Sequence, residues 1–258
     1  MKKIFILLIV LIFSCQNPTY NISINGELKK WHKITLTFDG IQSSEYAKEN
    51  PFLNYRLYVT FITENEKFVV PGYYAADGNS SETSADSGKI WKVHFRPNKT
   101  GKWKYSVSFQ KGKNLNLKNL EINGEPTAFD KATGEFIVEK SNKSEKDFRS
   151  LGRIINGDKG YFKFTDKDSI FFKNGTNSPE NFLAYQDFDQ TYRYEVQNRS
   201  GESNPKDLIH KYASHVKDWK KGDPTWKKNK GKGIIGAINY LSNQGVNSIY
   251  IISLNILS

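Results

Sequence analysis

Two aspartates, Asp187 and Asp189, alternate in the stretch "QDFDQ". On a strand, residues two apart share a face. These carboxyls could then act as the pair that glycoside hydrolysis needs, set about 5 to 9.5 Å apart across the scissile bond. The surrounding residues favour another reading, a polar loop that follows a strand. A third lies between them, in which loop carboxylates accept hydrogen bonds from sugar hydroxyls without doing chemistry. Glu180, Asn181 and Tyr185 in "SPENFLAY" fall in the same place by sequence order. Carboxylates and indoles mix again in "KDWKKGDPTW", at Asp218, Trp219, Asp223 and Trp226. Carbohydrate subsites use such mixtures, a flat apolar face beside a hydrogen-bonding group. Trp219 ends an apolar helical stripe and is assigned to the core instead. The substrate-binding set is therefore Glu180, Asn181, Tyr185, Asp187, Asp189, Asp218, Asp223 and Trp226, with polysaccharide or oligosaccharide as the expected partner.

Other chemistries find less support. The four histidines are dispersed, without metal-ligand spacing. Asp77, Asn79 and Glu82 in "ADGNSSETSAD" carry oxygen donors but not the spacing of an EF-hand, and read as a solvated loop. "NKGKG" lacks the spacing and the Lys-Ser/Thr pair of a phosphate loop. No G-x-S-x-G nucleophile motif occurs. Neither a metal nor a cofactor is expected. The net charge of +11 invites a nucleic-acid partner. However, the lysines are scattered through "KGKNLNLKN" and "WKKNKGKG" without a basic helix or a nucleic-acid motif, so no such partner is expected.

Residues 1–15 carry a different signal. Lys2 and Lys3 precede an apolar run from Ile4 to Phe13, followed by Ser14 and Cys15. That is the order of a secretory signal, and ten apolar residues in a helix reach only about 15 Å, half of a bilayer core. Cys15 is the only cysteine, so no disulfide can form within the chain. Its place after "LIFS" resembles the bacterial lipobox and predicts lipidation at Cys15. The partner would be a membrane met through the lipid anchor, and the location extracytoplasmic, at the periplasm or cell surface.

The elements that must position these residues fall into two kinds. From 21 to 140 the hydrophobic period is two. His32, Ile34, Leu36 and Phe38 share a face, as do Leu53, Tyr55, Leu57, Val59 and Phe61. Trp91, Val93 and Phe95 alternate with polar residues, as do Trp103, Tyr105, Val107 and Phe109, and with the turn "RPNKTG" between them the two runs predict a hairpin. Short alternating strands with Pro, Asn and Gly at their joints predict an antiparallel, immunoglobulin-like β-sandwich. The polar run "KSNKSEKD" contains the linker, 141–147. From 148 to 258 the period changes. "GRIINGDKGYFKF" reads as a short hairpin and "SIFFKNGT" as a strand. "NPKDLIHKYASHVKDW" reads as a helix with Asn204 as N-cap and Pro205 at its first position. "GIIGAINYLSNQG" reads as a second helix ended by Gly245, and "VNSIYIISL" as a strand apolar on both faces. Strand, long excursion, helix and strand open an α/β (TIM-barrel) segment, of which some 110 residues hold only the beginning. The sequence is therefore expected to be the N-terminal fragment of a longer protein.

Two groups of motifs resemble a known family. "NPFLNYRLYVTF", "FVVPGYYAADGNSSETSADSGKIWKVHFRPNKTGKWKYSVSF" and "TGEFIVEK" resemble the immunoglobulin-like module called domain of unknown function 5060. "DFDQTYRYEV" and "HVKDWKKGDPTW…GKGIIGAINYLSNQGVNSIYIISLNI" resemble the start of the glycoside-hydrolase-type barrel that follows it. The resemblance implies a secreted polysaccharide-degrading enzyme with its sandwich in front. In such barrels the two catalytic carboxylates follow the fourth and seventh strands, beyond Ser258, so no catalytic residue is carried over and this chain alone is expected to be inactive. The alternative is a non-catalytic carbohydrate-binding or structural lipoprotein.

Overall fold

Alternation decides the first part of the molecule. In Ile34–Ser44, Ile34, Leu36 and Phe38 are fully buried while their neighbours reach the surface. Trp91, Val93 and Phe95 do the same in Ser87–Phe95, and Trp103, Tyr105, Val107 and Phe109 in Gly101–Lys111. The computed structural model describes residues 21–144, 147–175, 182–188 and 209–251.

Two antiparallel sheets result. In chain order the strands are β1 (Ile22–Asn25), β2 (Ile34–Ser44), β3 (Tyr55–Thr63), β4 (Glu66–Pro71), β5 (Tyr73–Tyr74), β6 (Ser87–Phe95), β7 (Gly101–Lys111), β8 (Glu125–Pro126) and β9 (Thr133–Val138). One sheet runs β1-β2-β6-β5; the other runs β4-β3-β7, with β8 and β9 both pairing β7. This is a β-sandwich, as the alternation predicts, but β6 and β7 lie in opposite sheets, so the turn "RPNKTG" crosses between the sheets instead of closing the expected hairpin. A one-turn helix, α1 (Pro51–Asn54), leads into β3, and another, α2 (Ser80–Thr83), lies between β5 and β6. The first corrects the sequence reading, because Leu53 belongs to α1 and the strand begins only at Tyr55. Asn50 caps this turn by accepting from the Phe52 N–H at 2.9 Å, and Pro51 cannot join a ladder as a donor.

The core between the sheets is aromatic. Phe129, on the loop before β9, stacks on Phe38 of one sheet at 4.6 Å and on Phe109 of the other at 4.4 Å. Asp130 fixes that loop by accepting from the Phe109 N–H at 2.7 Å. Phe61 and Phe95 stack across the gap at 4.0 Å. Each such ring, fully buried, stabilises the fold by roughly 1.5–3 kcal/mol. Where the sandwich begins and ends, its backbone is tied to itself. Lys29 and Glu139 form a parallel bridge, with Glu139 N–H donating to Leu28 O and Lys30 N–H to Glu139 O, each at 2.8 Å.

Beyond 147 a hairpin, β10 (Ile154–Asn156) with β11 (Phe162–Phe164), stands where "GRIINGDKGYFKF" predicts one. It is fastened to the sandwich at one carboxylate. Asp166 Oδ2 accepts from the Trp31 indole at 2.7 Å and pairs with the Lys30 ammonium at 2.6 Å.

The final segment departs further from expectation. No TIM-barrel α/β segment is evident among the described residues. In the described part of "SIFFKNGT", residues 169–175, the chain forms no strand but bridges Ile170 to Lys163, and residues 246–251 form no strand. The two segments do meet: Asn174 and Asn247 exchange backbone and side-chain hydrogen bonds, each at 2.8 Å. The helix expected across 204–219 is replaced, in its described part, by a 3-10 turn over Ala213–Asp218. Near the beginning of that described part, His210 is taken by another partner, since its N–H donates to Ala184 O at 2.7 Å and Gln186 N–H donates to His210 O at 3.1 Å. Tyr212 then turns left-handed at φ 49°, which an α-helix does not accept. The second helix forms as expected, α3 (Lys232–Asn243), with Gly245 at φ +86° just beyond it. Its buried stripe is Gly233, Ile234, Gly236 and Ala237. The two glycines let it lie directly on the 3-10 turn, because a Cβ on Gly233 would meet Lys211 O at 2.6 Å and one on Gly236 would overlap His215 O.

Candidate functional site

The N-terminus of α3 gathers three of the residues singled out above. Tyr185 is only 1% exposed, wedged between Tyr212, Phe188 and Trp226. Its hydroxyl donates to Asp187 Oδ2 at 2.7 Å. The same oxygen accepts from the Gly231 N–H, one residue before the helix, at 2.9 Å. A carboxylate there faces the positive end of the helix dipole. Burial first, and then the Asp187 carboxylate, push the Tyr185 phenol up to about 12. Trp226 completes the corner, its indole donating to the Asp187 carbonyl at 3.1 Å and its ring stacked on Phe188 at 5.3 Å and 12°. Gly231 is required here. It holds φ +94°, and a Cβ would run into the Trp226 ring.

Asp218 and Asp223 lie along the flank of the same helix. Asp218 Oδ2 meets His215 Nδ1 at 3.0 Å. Asp223 Oδ2 accepts from the Lys220 N–H at 2.7 Å and from the Asn239 amide at 2.8 Å. The backbone N–H and then the amide hold this carboxyl below its usual range. Asn239 also donates to the Asp218 carbonyl at 3.0 Å, so one α3 side chain fixes both loop positions. Trp219 is half-buried, and the Lys232 ammonium sits 4.6 Å from its ring centroid.

The expected set therefore separates in space. Tyr185, Asp187 and Trp226 come together at the head of α3, while Asp218 and Asp223 share its flank. Glu180, Asn181 and Asp189 lie outside the described residues, as does Cys15. The sequence reading missed Gly231, Phe188, His215 and Asn239. Only Gly231 left a trace, in a "GKG" placed just ahead of a helical stripe; a single Asn or His on a helix face gives no periodic signal.

Chemically, the carboxylates are mostly held by the chain's own donors. Asp187 spends one oxygen on Tyr185 and Gly231, and its Oδ1 takes no donor among the described residues. That oxygen can accept a hydroxyl, and the next residue, Phe188, offers a flat apolar ring stacked on Trp226. The His215–Asp218 pair orients an imidazole, yet no Ser or Cys side chain meets its other nitrogen among the described residues. No group of three or more His, Cys, Asp or Glu that could hold a metal is found among them, and no helix there is long and apolar enough to cross a membrane.

The fold is that of an antiparallel β-sandwich carrying a docked hairpin and a helix-headed loop cluster. Residues 27–110, from just before β2 to near the end of β7, match the family described as Domain of unknown function (DUF5060). A search of curated proteins finds no match. Among solved structures, a protein from Bacteroides vulgatus ATCC 8482, provisionally described as a glycoside hydrolase, is similar at 21% identity and a TM-score of 0.39. The similarity covers 60% of this chain and 23% of that one, so the chain spans under a quarter of its length.

Proposed function

We propose that this chain is the carbohydrate-contacting, leading part of an extracytoplasmic glycoside hydrolase. The immunoglobulin-like sandwich comes first, and the loops around α3 open the barrel behind it. The observation that carries this reading is the corner at the head of α3. Phe188, 37% exposed, stacks on Trp226 and follows Asp187, whose Oδ1 takes no donor among the described residues. A flat ring next to a free acceptor is what a pyranose needs, its C–H face on the aromatic ring and a hydroxyl on the oxygen. The DUF5060 match over the sandwich supports the same reading, since that module resembles those placed before glycoside-hydrolase barrels. The carboxylates seen here are held by backbone and side-chain donors, so their proposed role is to position sugar, with bond cleavage supplied by other residues. Lipidation at Cys15 would hold the protein at a membrane surface on the periplasmic or outer side. One chain rarely anchors a protein stably, but several acyl chains on one cysteine do.

Affinity electrophoresis of the 258-residue chain through gels containing a panel of polysaccharides tests the binding role. At least one should retard it, and Phe188→Ala should weaken that retardation about tenfold, the loss of one stacked ring. If no polysaccharide retards the chain, or the variant is retarded equally, the proposal fails. Labelling cells with a palmitate analogue tests the anchor: label on the wild type and none on Cys15→Ser is expected, whereas equal labelling would remove it. The second reading, a non-catalytic lipoprotein that only holds glycan, is favoured by the same carboxylates, which are mostly held by the chain's own donors. Discovery of a downstream strand-end carboxylate pair in the complete protein would decide against it.

A further inference from the structure

One flank of the sandwich holds a cleft of about 520 Å3 that the reading above does not use. It opens between Phe68 on β4 and Phe95 on β6, both strands lying at sheet edges there because β5 pairs β6 only at Trp91 and Lys92. Residues 148–154 line its other side. Three of the twelve lining residues are arginines, Arg96, Arg149 and Arg153, and none is acidic. Arg149 is spent on Asp147, which it meets at 2.5 Å. Arg96 and Arg153 are exposed and form no ion pair among the described residues, Arg153 acting on Glu66 only at longer range. Asn98 also lines the cleft. Its Nδ2 donates to Glu66 at 2.6 Å, while its buried Oδ1 accepts from nothing among the described residues. Trp31 and a 41%-exposed Phe148 add aromatic surface.

We infer that this cleft binds an acidic saccharide, a sugar ring bearing a carboxylate or a sulfate. Guanidinium forks match both anions bidentately, and a cleft lined by one sign of charge concentrates them. Trp31 and Phe148 supply the apolar surface for the ring. The volume fits one or two sugar rings, within the range of small-molecule sites. A nucleic acid would instead need a groove tracking successive phosphates, with bases stacked along it. The inference rests on the carbohydrate reading and narrows it to acidic glycans at a second place on the molecule.

Calorimetric titration of the full chain with four ligands tests it: an oligogalacturonate, a sulfated galacto-oligosaccharide, a neutral galacto-oligosaccharide of equal length, and a single-stranded oligonucleotide. At least one acidic sugar should bind roughly tenfold or more tighter than the neutral one, and more weakly as salt rises. Which acid binds separates carboxylate from sulfate. Arg96→Gln with Arg153→Gln should lose about tenfold or more in affinity. Lys102→Gln with Lys104→Gln, an equal charge change on β7, should lose little. Equal affinity for the neutral sugar or the oligonucleotide, no acidic sugar bound, or an unchanged arginine variant would each overturn the inference. Retardation by neutral polysaccharides that depends on Phe188 would survive any of these results, so the two readings fail separately.

Discussion

At Tyr185 a single phenol records how tightly the head of α3 is packed. Its pKa of about 12 comes first from burial and then from Asp187, against about 10 for a free tyrosine. A raised value means that the folded state keeps its proton longer than the unfolded chain. The resulting stabilisation is complete below about pH 10 and is lost as pH rises toward 12. An ultraviolet titration should show Tyr185 among several late-ionising tyrosines, and Asp187→Asn should bring the Tyr185 step alone to lower pH. Gly231 makes a companion prediction. Gly231→Ala places a side chain at φ +94° and into the Trp226 ring, so urea unfolding should show a loss of about 2 kcal/mol or more. The sequence placed Tyr185 and Asp187 in one loop and Trp226 in another mixture of carboxylates and indoles, each as a candidate for sugar contact. It could not show that Asp187 turns inward to a helix N-terminus, because that contact joins residues 44 positions apart.

Arg56 shows how one residue builds an element. It is 5% exposed, and its guanidinium donates to the carbonyls of Leu115, Lys118, Asn119 and Ile122, gathering the 112–124 connection over β3. Arg56→Met fills similar volume but removes the guanidinium donor from the Lys118 and Ile122 carbonyls, while Leu115 and Asn119 keep only their backbone donors, Lys118 and Ile122 N–H. Unfolding free energy should fall by about 3 kcal/mol, and hydrogen exchange should quicken in that loop. Arg56→Lys should rescue little, since an ammonium cannot reach four carbonyls from a fixed plane. In the alternation of its strand Arg56 looks like an outward residue, and its burial is set by a loop some 60 residues away. Strands whose burial is decided locally were legible, as Ile34, Leu36 and Phe38 show. The helix expected to begin at Asn204 was misjudged in its described part for the opposite reason. Its apolar spacing at Ile209, Tyr212 and Val216 is genuine, yet His210 pairs with residues 184–186 and Tyr212 turns left-handed, so tertiary pairing overrides the periodicity.

For the molecule as a whole, the join between sandwich and hairpin is electrostatic and therefore depends on pH. Arg149 holds the Asp147 carboxyl down at about 2. Burial works against Asp166, yet the Lys30 ammonium and the Trp31 indole still keep it below the carboxylate range. For groups lowered in this way, the stabilisation is present above about pH 4 and is lost as pH falls through the folded values. Limited proteolysis should accordingly cut the 139–147 connection faster near pH 3 than at pH 7, and Asp166→Ala should bring fast cleavage to neutral pH. The sandwich should survive that cut, because both of its sheets and the Phe38–Phe129–Phe109 stack lie within 21–140. An excised segment of those residues should unfold in one cooperative transition, and a non-cooperative melt would count against it. The tie between Leu28 and Glu139 has a consequence for engineering. With entry and exit held 2.8 Å apart by backbone hydrogen bonds, the unit presents itself to any host chain as a loop whose ends already meet. Loop-closure entropy grows only logarithmically with inserted length, so splicing 28–139, which leaves out only the edge strand β1, into a surface turn of an unrelated protein should cost that host little more than a short insertion would.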